Sequence, residues 1–397
     1  MANNTTHPNI LKYYLAHIFQ GVSLIAPIII LYYASFGLSF FDIASLQAIF
    51  LITTIVLEIP TGAMADIVGR KFSAGLGILL IAIGTIIVGA GSSFVQFALA
   101  EIIFGIGAAM RSGADTSLIY DSLQETSSID KYTKTEGISY ALFCTIGALT
   151  APLGAYLFVY NHRAPFLIEA FILLLAALSF IFMIEPKIIK PTGAKNDYWS
   201  TLISGIKQPL RNPLVRWYFI FTIFIAVIIS FFGGVLIQPL IVARGINIIY
   251  VGYIYSALLL IQAVSAIYAD DIASRLKERL SLAAIIIIPS ISLIMMGLKN
   301  AGVFLVFLLI YSSVKGFEYP VLKNYVQQRL LPAARATALS TQNFFDSLAG
   351  AIFLPVLGLI ADNISLSYSA PLLGIIMLGG GVLLLILKPK NEYETVG

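Results

Sequence analysis

The chain's 397 residues predict an all-α membrane protein: twelve transmembrane helices in two pseudo-symmetric six-helix bundles. Three observations carry this expectation. The composition suits no water-soluble globule, apolar runs of spanning length recur along the chain, and the second half repeats the first at one constant offset. Hydrophobic residues make up 59% of the chain and charged residues 11%, against roughly a quarter charged in soluble domains.

Crossing the hydrocarbon takes about 20 apolar residues per helix. Twelve runs qualify, near 11–34, 42–65, 72–91, 94–122, 135–159, 164–184, 213–243, 248–270, 281–298, 301–324, 334–361 and 367–387. The first is too long, and lacks the small-residue cleavage site, for a signal peptide, so it is expected to remain in the mature protein. The second and third are joined by Gly62-Ala63-Met64-Ala65-Asp66-Ile67-Val68-Gly69-Arg70-Lys71, a short charged turn; residues 43–61 and 72–90 around it contain one charge, Glu58. The longest polar interval, Glu185 to Asn212, separates six runs from six. Within it Trp199, Leu202, Ile203, Ile206 and Leu210 recur at helical spacing beside Lys207 and Arg211, the pattern of a helix lying in the membrane interface. The expected organisation is a first bundle over 1–185, a linker with an interfacial helix over 186–212, and a second bundle over 213–397.

Short cytoplasmic loops retain Lys and Arg. With the N-terminus inside, nineteen of the 24 basic residues fall on one side, Arg163, Arg244 and Lys299 on the other, and Arg111 and Lys315 within spans. Both termini are therefore expected in the cytoplasm. This bias accounts for the net charge of +4 without a nucleic-acid partner. Cys144 is the only cysteine, which excludes disulfides and thiolate metal clusters. No phosphate-binding loop of the Gly-x-x-x-x-Gly-Lys-Ser/Thr type is present, so ATP hydrolysis is not the expected drive. No metal cluster or nucleophile–His arrangement appears either, and neither enzymatic activity nor a cofactor is expected.

A shift of 204 residues lays Gly62 over Ala266, Asp66 over Asp270, Arg111 over Lys315 and Gly154 over Gly358. Four chemically like pairs in four helices at one offset indicate a duplicated six-helix unit. Such repeats place a substrate site at the repeat interface near the bilayer midplane. In the 62–71 turn, Gly62 and Gly69 permit close helix approach and an abrupt reversal. Asp66 can meet helix N-terminal amides or a basic partner, and Arg70 and Lys71 can meet anionic headgroups.

The pattern Gly62-x-x-Ala65-Asp66-x-x-Gly69-Arg70-Lys71 resembles the signature between helices 2 and 3 of the major facilitator superfamily. The degenerate copy Ala269-Asp270-x-x-Ala273-Ser274-Arg275 stands where that family repeats it. The resemblance covers essentially the whole chain and implies a conformational latch formed by Gly62, Asp66, Gly69, Arg70, Lys71 and Asp270. Gly105-x-Gly107-Ala108-Ala109 is similar to a fourth-helix efflux motif, but Glu101 occupies its Arg position. Gly147-x-x-x-Ala151-Pro152-Leu153-Gly154 resembles the fifth-helix antiporter motif, with Ala for one Gly and a shortened end. The Arg111–Leu123 and Arg335–Ser340 stretches resemble segments of bacterial efflux members, with Asp121 expected near Lys131 or Lys134 and Arg335 as a gate partner of Asp121 or Asp270.

Ionisable groups inside spans are costly and usually functional. Arg111 with Asp115 (i,i+4) and Lys315 with Glu318 (i,i+3) are placed to neutralise one another. Each pair either locks packing or contributes to proton coupling, for which the candidates are Asp115, Glu318, Asp346, Glu58 and Glu101. Burial and a nearby cation act in opposite senses on a carboxyl group, so repacking can move a proton on or off. The substrate-cavity candidates are Arg111, Lys315, His17, Gln20, Tyr140 and Tyr319; the gate candidates are Asp121 and Arg335. The expectation is a monomeric, multi-pass transporter of a bacterial cytoplasmic membrane that exports a small organic molecule in exchange for protons, with Na⁺ as an alternative ion. The alternatives are proton-coupled uptake of an anionic or zwitterionic solute, and a membrane receptor or scaffold that does not cycle.

Overall fold

The computed structural model describes residues 7–186, 212–329 and 335–389, apart from the side chains at 59, 63, 66 and 335–339. The expected interfacial helix around Trp199 lies outside the described residues. Every regular element among the described residues is helical. Eleven of the twelve expected crossings are long and apolar enough to span a bilayer.

The first crossing is the exception, and it is broken. Helix α1 (Asn9–Gly21) stops where Val22 turns extended (ψ 125°), and α2 (Ile29–Ser35) restarts seven residues later. Pro27 lacks an amide hydrogen and disfavours helix at the residue before it, so the chain between 22 and 28 leaves amides unpaired. Hydrocarbon offers them no partner, and side chains from two later helices supply it. Glu169 Oε2 accepts from the Leu24 and Ile25 amides at 2.7 and 2.9 Å, and Thr150 Oγ1 accepts from the Ser23 amide at 2.9 Å.

The chain continues as α3 (Phe40–Val68), α4 (Arg70–Ala90), α5 (Phe94–Arg111), α6 (Ala114–Glu125), α7 (Tyr132–Tyr160) and α8 (Ala164–Ile181). The expected 94–122 span is thus two helices, parted at Ser112 and Gly113, where Gly113 takes φ +74°. Small residues bring α4 and α5 together: a Cβ on Gly77 would lie 2.6 Å from the Gly107 carbonyl oxygen, and one on Gly107 2.5 Å from that of Gly77. Buried Ala74, Ile78, Leu118 and Phe180 fill the space between α4, α6 and α8.

The second half begins at α9 (Pro213–Phe231), where the Asn212 side chain caps the Leu214 amide at 2.9 Å. A π-helical turn, Phe232–Leu236, leads into α10 (Ile237–Ala243). Then follow α11 (Ile248–Ile267), α12 (Ala269–Met295), α13 (Ala301–Gln327), α14 (Arg335–Asp362) and α15 (Leu366–Ile386). Helix α12 is bent at Lys277, whose φ is +59°. Displaced by 204 residues, α4 falls on 274–294, within α12, and α7 falls on 336–364, nearly coincident with α14.

Two compact units result. One comprises Met1–Leu38, Ser45–Thr192 and Asn247–Ser256; the other comprises Ser39–Ala44, Gly193–Ile246 and Ala257–Gly397. Within the second unit, the Asp362 carboxylate caps the start of α3, accepting from the Phe40 and Phe41 amides at 2.8 and 2.9 Å.

Two stability outcomes follow from this packing. Glu169→Leu strands two amides, each worth about 1–3 kcal/mol when unsatisfied, so the thermal midpoint in detergent should fall clearly, whereas Glu169→Gln keeps an acceptor and should fall less. Gly107→Leu drives a side chain into the Gly77 backbone and should cost about 1–3 kcal/mol by the same measurement; an unchanged midpoint would contradict the close α4–α5 contact.

Candidate transport site and gating contacts

The signature segment is mostly helix. Helix α3 runs through Val68, so the expected ten-residue turn contracts to Gly69 alone, at φ +112° and ψ 145°. Gly62 is exposed on α3 with no atom within 4 Å of a Cβ built there, which removes its expected role in close approach. The Asp66 side chain lies outside the described residues. Past the turn, Glu185 closes the start of α4: its two oxygens accept the Arg70 and Lys71 amides at 2.6 and 2.9 Å. A helix start favours such an anion. The Arg70 guanidinium reaches the Ser117 carbonyl at 3.0 Å and forms an ion pair with Asp121, and Lys71 Nζ reaches the Met183 carbonyl at 3.2 Å. Asp121 thus pairs with Arg70, not with Lys131 or Lys134 as expected, because α6 restarts after Gly113 alongside the beginning of α4. The Arg335 side chain lies outside the described residues, and Asp270 is exposed in the first turn of α12.

Inside the first unit, a cavity of about 350 Å³ is lined by Gln20, Tyr33, Glu101, Arg111 and Glu169 among apolar side chains. Arg111 donates to Gln20 Oε1 at 2.7 Å and lies 3.8 Å from Asp115. Asp115 is buried and also accepts the Thr116 amide at 2.7 Å. At the other end Tyr33 donates to Glu101 at 3.1 Å. Gln20 Nε2 is buried with no hydrogen-bond partner. His17 is turned to its own helix, with Nδ1 3.0 Å from the Tyr13 carbonyl and its ring tilted at 52° against that of Tyr13, centroids 4.2 Å apart. Tyr140 and Glu58 are exposed and do not line this cavity.

Inside the second unit, a cavity of about 360 Å³ is lined by Glu318, Asp346, Tyr319, Lys323, Gln342 and Thr222, with other residues. Gln342 donates to Thr222 Oγ1 at 3.1 Å. Asp346 Oδ1 is buried without a partner. Lys315 does not line this cavity: its ammonium lies by Gly233, whose Cβ would be 3.8 Å away. No ion pair within 4.0 Å joins it to Glu318, although i,i+3 spacing allowed one. At one end of this unit Glu278 gathers Tyr218 (2.5 Å), Arg329 and Lys388, and the Arg329 guanidinium lies 4.8 Å over the Tyr218 ring.

Sequence reasoning missed Glu169, Glu185 and Glu278. Glu169 could have been found by the rule that flagged Glu101, since it is an acid within an apolar run; Glu185 and Glu278 sit among polar neighbours and carry no such signal.

A family model described as Major Facilitator Superfamily matches residues 16–354. The quinolone resistance protein NorA of Staphylococcus aureus is 27% identical over 171 residues, 43% of either chain. Multidrug resistance protein 2 of Bacillus subtilis (strain 168) is 26% identical over 216 residues, 54% of this chain and 52% of that relative. The aligned stretches thus span about half the length of these curated relatives. Among solved structures, the nucleoside transporter NupG is similar with a TM-score of 0.78 at 15% identity, covering 96% of this chain and 98% of NupG. A bacterial homolog to the human lysosomal transporter Spinster, in an inward-facing and unoccupied conformation, has a TM-score of 0.69 at 17% identity, covering 96% and 94%. These two likenesses concern the fold. Together with the family match along most of the sequence, they lead to one conclusion: the chain belongs to the major facilitator superfamily, whose members are membrane-embedded transporters of small molecules and not enzymes.

Proposed function

We propose that this transporter resides in a bacterial cytoplasmic membrane and exports a small organic molecule in exchange for protons, by alternating access. The observation that carries the proton-coupled part is the second unit's cavity, where Glu318 and Asp346 share one lining and Asp346 Oδ1 is buried without a partner. An acid so placed is a proton carrier by its chemistry. Protonated, it is a neutral group in a low-dielectric wall; ionised, it requires a cation or water, because isolated buried charge is costly. Lys315 stands three residues from Glu318 but outside ion-pair distance, so a modest repacking changes which form is favoured. The names of the relatives, quinolone resistance and multidrug resistance, support outward movement of a small organic compound. An uptake clamp formed by Arg111 together with Lys315 is less well supported, because Lys315 lines neither of the two cavities described above.

In this reading the collar around Gly69 is the latch of the cycle. Glu185 fixes the start of α4 while Arg70 ties it to α6 through Asp121. Both contacts sit at the ends of helices, where a few residues can absorb a conformational change.

Uptake of a panel of externally added fluorescent organic compounds into everted membrane vesicles tests the proposal. Glu318→Gln or Asp346→Asn should lower pH-gradient-driven transport by about tenfold or more while the protein remains monodisperse in detergent; full transport in both variants contradicts it. Gly69→Leu places a branched side chain at positive φ and against Glu185, at a cost of about 1–3 kcal/mol. It should slow transport while leaving equilibrium binding of the same compounds intact, and an unaltered rate would remove the latch from the account.

A further inference from the structure

The cavity of the first unit has two chemically opposite ends, and the proton-coupling proposal uses neither. One end holds Glu101, half-buried, with the Tyr33 hydroxyl donating to it at 3.1 Å. Glu169 lines the same cavity, its carboxylate held in place by the Leu24 and Ile25 amides of the broken first crossing. The other end holds Arg111 and Gln20, the latter with a buried Nε2 donor that has no partner. A buried donor left unpaired costs about 1–3 kcal/mol, and it points to an acceptor supplied by a bound molecule. Between the ends the wall is apolar, with Ile25, Phe104 and Phe143.

Ten residues of α5 separate Glu101 from Arg111, about 15 Å of helix axis. A hydrogen-bond length taken from each end leaves the charges of a ligand that meets both on the order of 10 Å apart. A volume of about 350 Å³ accommodates a small organic molecule and greatly exceeds the needs of a bare ion. Largely apolar walls with a few convergent polar groups are the form small-molecule sites take.

We propose that the first unit contains a substrate subsite of its own, which takes a zwitterionic amphiphile with its amine at Glu101 and its carboxylate at Arg111 and the Gln20 amide. Glu169 acts there as a positioning residue that holds the unwound backbone against the cavity. The proposal specifies the substrate class of the transport reading above and rests on it for its role in the cycle, but its test does not depend on a gradient.

Three probes separate the contributions: 4′-(aminomethyl)biphenyl-4-carboxylate, its N-acetyl derivative and its methyl ester, titrated calorimetrically against the full chain in nanodiscs. A charge-assisted hydrogen bond contributes about 1.5–3 kcal/mol, so capping either end should weaken wild-type affinity by about tenfold or more. Glu101→Gln should erase the penalty for acetylation and keep that for esterification; Arg111→Gln should do the reverse. Ile29→Trp, which fills the cavity and removes no polar group, should abolish binding of the parent probe. Equal affinity of wild type for all three probes, a penalty that persists in its matched variant, or undiminished binding in Ile29→Trp would overturn the subsite. Equilibrium binding needs no proton gradient, so failed coupling at Glu318 and Asp346 would leave these affinities intact and would be recognised separately.

Discussion

Hydrocarbon supplies no hydrogen-bond partners, and the architecture of the first unit turns on how the chain meets that constraint where its first crossing unwinds. The amides of Leu24 and Ile25 are released by the break and are met by one carboxylate oxygen of Glu169 from α8. That contact allows an irregular backbone at membrane depth, and irregular backbone is tolerated there only where it is buried in protein or lines a cavity. Both conditions hold, since Leu24 is buried and Ile25 and Glu169 line the same cavity. An uninterrupted helix would have satisfied its own amides and left no reason for an acid at 169.

The two repeats have diverged in what they hold. The first unit's cavity sets Glu101 and Arg111 ten residues apart on one helix, while the second's is lined by two carboxyl groups, one with an unsatisfied oxygen, together with Lys323. In the proposed cycle this divergence is a division of labour, with organic substrate read in one unit and the proton carried in the other. The charged clusters near the helix ends differ in kind. Arg70 with Asp121 and Glu278 with Arg329 and Lys388 are ion-paired within their own units, which leaves them little capacity for a charged ligand.

Much of the fold was legible in the sequence, because spanning length and composition are physical requirements of the bilayer, and because the 204-residue offset lays α4 within α12 and α7 nearly on α14. What was not legible depended on contacts between distant segments. The run 11–34 is apolar enough to read as one helix; its break depends on Glu169, some 144 residues away. Gly62 read as a packing glycine from its place in a motif, but the helix passes through it into open space. Asp121 found Arg70 because Gly113 redirects the chain, and i,i+3 spacing could not reveal that the Lys315 ammonium lies by Gly233 and outside the cavity that Glu318 lines. Gln20 and Arg111, singled out from separate helices, were brought together at 2.7 Å, so cavity residues were easier to name than to pair.

The measurement that bears most directly on proton-coupled export is proton release on ligand binding, followed with a pH-sensitive dye in weakly buffered detergent solution. If binding and protonation compete as exchange requires, adding the biphenyl zwitterion to the protein should release close to one proton per bound molecule, and the Glu318→Gln/Asp346→Asn double variant should bind it and release none. Binding without proton release, or release undiminished in the double variant, would contradict the account.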